Sequence, residues 1–201
     1  MRIAALFLVV FFLGMIWNSE GSTRESFVPK KFSAEFTQQY KSQVTGKIKR
    51  GNGTLDYEFP SKLRFEMIEP DPIIFITNMT QNWYYRPPFI KGEKGELKKN
   101  VKGGNVFADF FDSLSEGLKN NEFYNVKIEN DVASILFSEN HSQELGLKAA
   151  MLQFKNKKNL RFTNLKEITL VYRDDRETKI IFDSLNQANT FSKNHFLFKA
   201  D

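Results

Sequence analysis

The side chains able to do acid–base or metal chemistry are few and scattered in this chain. Its two histidines, His141 and His195, lie far apart in polar stretches, and cysteine is absent. Neither histidine is accompanied by the carboxylate pattern of a metal site. No serine occupies a G-x-S-x-G elbow. Gly92-Glu93-Lys94-Gly95 and Gly103-Gly104 lack phosphate-loop spacing and read as flexible linkers. Asp174-Asp175 reads as a turn. Asn52-Gly53-Thr54, Asn78-Met79-Thr80 and Asn140-His141-Ser142 are formal glycosylation sequons, a pattern frequent by chance. The residues imply no enzyme, no cofactor and no metal. The remaining chemistry is that of holding something apolar.

Residues 32–88 carry that signal. Phe32, Ala34, Phe36, Gln38 and Tyr40 alternate with Ser33, Glu35, Thr37 and Gln39. After a turn read at Gly51-Asn52-Gly53, Leu55, Tyr57 and Phe59 alternate with Thr54, Asp56 and Glu58. Past Pro60, Leu63, Phe65 and Met67 alternate with Lys62, Arg64 and Glu66. Period two predicts antiparallel strands with one wet and one apolar face. Phenylalanine supplies 21 of the 201 residues, three of them (Phe7, Phe11, Phe12) in the N-terminal apolar run. Such rings bury large area with few rotatable bonds, so they suit the wall of a cavity; they equally suit an ordinary core.

Met1-Arg2, the apolar run Ile3–Trp17 and the small residues Ser19 and Gly21 predict a cleaved secretory signal over residues 1–21. An uncleaved anchor is the alternative, although the run is short of the roughly 20 residues of a membrane span. Residues 22–201 suffice for one domain with a sizeable core. Export without cysteine leaves packing alone to stabilise the fold and offers no residue for lipid attachment, which predicts a soluble periplasmic protein. The formal charge of +5 is spread along the chain in pairs such as Lys30-Lys31, Lys98-Lys99 and Lys157-Lys158. It reads as solvated faces, with attraction to anionic headgroups or an acidic partner as the alternative, and no nucleic-acid motif accompanies it.

The elements that must position the aromatic face follow from the punctuation. Residues 22–31 are read as short and polar, and Pro29 excludes a long helix there. Asn78–Asn82 predicts a hairpin turn between Ile73–Thr77 and Trp83–Arg86, and residues 87–105 read as a mobile loop rich in Gly, Pro and Lys. Val106, Phe107, Phe110, Phe111, Leu114 and Leu118 fall at helical spacing, with Asn105 as N-cap and Lys119 near the end. Strands are predicted at 122–129, 133–138, 145–155, 165–172 and 178–184, with a short stretch at 191–198. The fold class is mainly β (α+β): an incomplete antiparallel barrel, or strongly curved sheet, with a helical lid over its apolar concave face.

The strings FSAEFTQ, GNGTLDYEFPSKLRFEM, EPDP with its Ile-rich strand, and WYYRPPF resemble the LolA family, most densely over residues 32–89 and then through the Phe-rich helix at 105–119. Members are periplasmic carriers of lipoproteins between the two membranes of Gram-negative bacteria. The resemblance implies an acyl-chain cavity walled by Phe36, Leu55, Tyr57, Phe59, Leu63, Phe65, Met67, Phe75 and Trp83. It implies a lid bearing Phe107, Phe110, Phe111, Leu114 and Leu118. It also implies acylated lipoproteins, an inner-membrane ABC exporter of LolCDE type and an outer-membrane receptor of LolB type as partners, for a monomeric carrier. Two departures stand out. Phe59 occupies the position before proline where the family usually has an arginine thought to bond the lid, so closure would rest on apolar contact alone. The segment before the first strand is also too short for the family's usual N-terminal helix. An alternative on the same fold is a lipid-binding or envelope-stress sensor with a different ligand; a structural module whose apolar face is plain core is a third.

Overall fold

Alternation of apolar and polar side chains builds nearly all of this molecule, which a computed structural model describes over residues 26–90, 92–101, 106–187 and 190–199. The signal segment at 1–21, the Asn105 cap and Gly103-Gly104 lie outside the described residues. The strands are β1 (Lys31–Lys41), β2 (Ile48–Glu58), β3 (Lys62–Glu69), β4 (Ile73–Thr77), β5 (Asn82–Arg86) and β6 (Glu96–Lys99). After helix α1 (Val106–Ser113) come β7 (Tyr124–Glu129), β8 (Val132–Phe137), helix α2 (Glu139–Leu145), β9 (Leu147–Phe154), β10 (Leu165–Tyr172) and β11 (Glu177–Gln187). All strand pairs are antiparallel in one 11-stranded sheet, ordered β6-β5-β4-β3-β2-β1-β11-β10-β9-β8-β7. Each half is a meander; the first and last strands join the halves, while β6 and β7 remain as edges. The connection between those edges contains α1, which lies against the apolar face of the curved sheet and packs on β3 and α2.

Register sorts the residues by face. Phe32, Ala34 and Phe36 of β1, Leu55 and Tyr57 of β2, and Leu63, Phe65 and Met67 of β3 are buried in one core with Ile135, Leu152, Ile168 and Phe182 from the other half. The segment before β1 is not merely polar. Val28 is buried, and Phe27 sets its ring edge-on to Phe154 and Phe162 at 6.0 and 5.6 Å.

Several local expectations are corrected. Gly51-Asn52-Gly53 is no turn: β2 runs straight through it, and the chain reverses at residues 42–47. These glycines serve close approach instead. A Cβ on Gly53 would fall on the Glu66 carbonyl and the Phe36 ring, and one on Gly51 on Met67 and the Glu69 carbonyl. The β2–β3 register also shifts between Asn52 and Gly53, a local irregularity that sharpens twist. The 87–105 loop contains strand β6, whose exposed Glu96, Lys98 and Lys99 give no alternation because it lies at the sheet edge. Helix α1 stops at Ser113 and gives way to a single 3-10 turn at Leu114–Glu116, which ends at Gly117 with a positive φ of 85°. Leu118 and Lys119 therefore lie beyond the helix. Helix α2 fills the polar stretch around His141, between the strands predicted at 133–138 and 145–155; Ser138 and Gly146 bound it, and Gly146 is left-handed at φ 71°.

The outer face is not uniformly wet. Residues 190–199 fold over β3–β5 and bury Phe196 with Ile76 and Trp83, with Ile74, Phe191 and Phe198 around them. Asn78 donates to the Phe196 carbonyl at 3.2 Å, and His195 Nε2 lies 2.8 Å from Asp56 Oδ2. Arg64 sits on this face as alternation requires, paired with Glu66.

Gly53→Val is expected to lower the unfolding free energy by about 2–3 kcal/mol through overpacking, read as a fall in the urea midpoint at unchanged slope. Gly46→Ala, where a Cβ meets open space but φ is +65°, should cost less.

Candidate functional site

The candidate site is the concave aromatic face and the helix seated on it. From the sheet side, Phe36 stacks on Phe65 at 4.9 Å between centroids. Phe65 in turn stacks on Phe107 of α1 at 5.4 Å and 13° between planes, so wall and lid share one aromatic column. Phe111 meets Phe32 edge-on at 5.0 Å and Tyr57 at 5.4 Å. Phe110 points toward the other half of the sheet, 6.4 Å from Phe137. Phe110, Phe111 and Leu114 are fully buried, while Phe107 and Leu118 are half-buried against the same core. Eight residues are too few for a helix to stand alone in water, so α1 exists because its apolar stripe is docked.

The structure therefore brings together Phe36, Leu55, Tyr57, Leu63, Phe65 and Met67, with Phe75 at their margin. It separates two others. Phe59 is 43% exposed, beyond the end of β2, and does not belong to the apolar face. Trp83 is on the opposite face. The β4–β5 hairpin pairs Thr77 with Asn82, hence Phe75 with Tyr84 and Ile76 with Trp83. A one-residue difference in register moves a side chain through the sheet; the aromatic that shares the concave face of β5 is Tyr84.

The lid is also held by a polar clasp, contrary to the expectation that closure rests on apolar contact alone. Asp112, on the α1 face turned toward the β2–β3 connection, accepts the Tyr57 hydroxyl at 2.5 Å through Oδ1 and the Ser61 hydroxyl at 2.6 Å through Oδ2. The Ser61 backbone N–H adds a third contact at 3.2 Å. Burial, and then the adjacent Asp112 carboxylate, push the Tyr57 hydroxyl well above its ordinary range, so it stays a donor. The sequence held one signal for this pairing: a tyrosine on an apolar face needs a partner for its hydroxyl. Asp112 and Ser61 carried no signal of their own.

A cleft of about 330 Å³ opens between α1 and α2, lined by Asp109, Asp112, Glu116, His141 and Glu144 among others. His141 rests on Phe123 and Phe137, with Nδ1 3.3 Å from Glu144. Burial and the Asp112 charge raise the Asp109 carboxyl to about 6, with His141 opposing them. Among the described residues, no three His, Asp or Glu side chains are grouped to hold a metal.

Asp112→Ala should destabilise the protein by about 2–3 kcal/mol, since hydrogen bonds to a charged group contribute roughly 1.5–3 kcal/mol each, and should speed hydrogen exchange of the α1 amides selectively. Tyr57→Phe should act in the same direction with a smaller effect, and the double variant should fall short of the sum because the two share a bond. Asp109 has a folded-state pKa above the ordinary 3.8, so its contribution favours the docked lid at low pH and is lost as pH rises from about 4 through about 6. Asp109→Asn should therefore flatten the pH dependence of α1 exchange across that window, and raise stability above it by about 1 kcal/mol once solvent screening is allowed for.

Residues 29–199 match the family described as Outer membrane lipoprotein carrier protein LolA. Outer-membrane lipoprotein carrier proteins of Salmonella typhi and Salmonella typhimurium are 26% identical over 109 residues, which is 53% of this chain and 53% of theirs. The chain thus aligns with about half the length of these curated relatives. A LolA superfamily protein of Nitrosomonas europaea superimposes over 83% of this chain and 90% of its own, with a TM-score of 0.42 and 8% identity. On the extent of the family match, which takes in every strand and both α-helices of the described residues, this chain belongs to the LolA family of outer membrane lipoprotein carrier proteins.

Proposed function

We propose that this protein is a periplasmic carrier that shields the acyl chains of lipoproteins, with residues 1–21 as the export signal and the rest as a single carrier domain. It would accept cargo from an inner-membrane ABC exporter of LolCDE type and pass it toward the outer membrane and a LolB-type receptor. The observation that carries this reading is the seating of α1: a short amphipathic helix covers the aromatic concave face and is held there by one polar clasp. Swinging α1 away would uncover Phe32, Phe36, Phe65 and Tyr57 without breaking a strand pair.

The magnitudes favour exchange over permanent closure. Undocking Phe110, Phe111 and Leu114 exposes three buried side chains, roughly 5–9 kcal/mol at about 1.5–3 kcal/mol each. Seating one sixteen-carbon acyl chain returns on the order of 12 kcal/mol at about 0.8 kcal/mol per CH₂. The net of roughly 3–7 kcal/mol is well below that of an unopposed chain, as a carrier that must also release requires. The clasp adds to the cost of opening and sets how readily the empty face is exposed.

Binding of a fluorescent sixteen-carbon fatty acid to the purified protein, with displacement by a triacylated lipopeptide, tests the reading. Asp112→Ala should tighten binding several-fold, because less closing energy opposes it, whereas Phe65→Asp should abolish it in a protein that still folds at lowered stability. Absence of displaceable binding at micromolar protein would overturn the carrier assignment. Binding of fatty acid without displacement by lipopeptide would favour a sensor of free lipid.

A further inference from the structure

We infer that the β1–β2 hairpin is a docking point for the surface of an anionic phospholipid bilayer. Its tip exposes Val44 at 94% and Ile48 at 69%, on a stretch that otherwise carries Lys41, Lys47, Lys49 and Arg50 and no acidic residue. None of these four cations makes an ion pair among the described residues. The carboxylates sharing the adjoining cleft are mostly committed elsewhere: Asp174 to Arg176 and Asp175 to Lys148, leaving Glu177.

The hairpin presents these groups in a defined shape. Ser42 N–H donates to the Lys47 carbonyl at 2.9 Å, Gly46 N–H to the Ser42 carbonyl at 2.8 Å, and Gly46 takes φ +65°. Pairing of Tyr40 with Lys49 and of Lys41 with Ile48 places Lys49 on the face of Tyr40, and Lys41 and Arg50 on the other face. Cations on both faces of a projecting apolar tip suit end-on entry into a headgroup layer, where each face meets phosphate.

A second tip supports the same plane. Because β1, β3 and β5 run in one direction, the β5–β6 turn emerges at the same end of the sheet as the β1–β2 hairpin. After Pro87-Pro88 it exposes Phe89 at 81% and Ile90 at 62%. Separate apolar points at one end do not make the contiguous patch of a protein interface, but they fit an interfacial anchor.

Flotation with phosphatidylcholine vesicles, alone or containing one quarter phosphatidylglycerol, tests this independently of cargo binding. The protein should float with the anionic vesicles only, less so as salt rises. Lys47→Glu/Lys49→Glu should cut partitioning about 25-fold or more, at roughly fivefold for each basic residue lost at the surface. Val44→Ser/Ile48→Thr should leave the salt dependence but weaken binding. Since all four side chains are exposed, circular dichroism and fatty-acid uptake should match the parent in both variants. No flotation with anionic vesicles, equal flotation with phosphatidylcholine alone, or unchanged partitioning in both variants would overturn the inference. Retention on an immobilised acidic protein without flotation would overturn it in favour of a protein partner.

Discussion

An open antiparallel sheet with one strongly apolar face cannot stay uncovered in water, and everything distinctive in this molecule follows from how that face is covered. Closing β6 onto β7 would have made a sealed barrel with a core of its own. Among the described residues the two edges instead stay unpaired, and the connection between them lays α1 across the opening. The aromatic column Phe36, Phe65, Phe107 is where sheet and helix become one core. Its attraction is non-directional, so burial alone does not define where on such a face a helix settles.

Direction comes from the clasp. Asp112 is a carboxylate on the rim of an aromatic surface, and its bonds to Tyr57 and Ser61 fix the helix in rotation and in height. The lid supplies the charge, while β2 and the β2–β3 connection supply the hydroxyl donors. Phe59 lies exposed past the end of β2 and takes no part in the clasp. The second carboxylate, Asp109, works against the first, because ionising it in the half-buried α1–α2 cleft places two negative charges close together. The helix is thus held over the face by one carboxylate while its neighbour opposes that hold.

How much of this was legible in the residues varies by kind of signal. The β1 and β3 alternations are strong because each strand has one buried and one wetter face. The stripe Phe107, Phe110, Phe111, Leu114 marked the lid for the same reason. Strand β6 was illegible: an edge strand of charged residues has no buried face to advertise itself. Gly51 and Gly53 misled, because glycine marks both turns and places where another chain passes close, and composition does not tell these apart. Trp83 misled because parity across a hairpin depends on one residue of turn length.

The sequence by itself determined the fold class, the aromatic character of one face and the presence of a helix to cover it, since periodicity and composition are local properties that survive without knowledge of partners. Tertiary structure decided which aromatics share that face, that residues 190–199 cover a second apolar cluster on the outer side, and that Asp112 meets Tyr57 and Ser61. These are pairings over many tens of residues, set by strand order and register. A polar residue has no periodic signature for its partner; only the folded geometry brings donor and acceptor within reach.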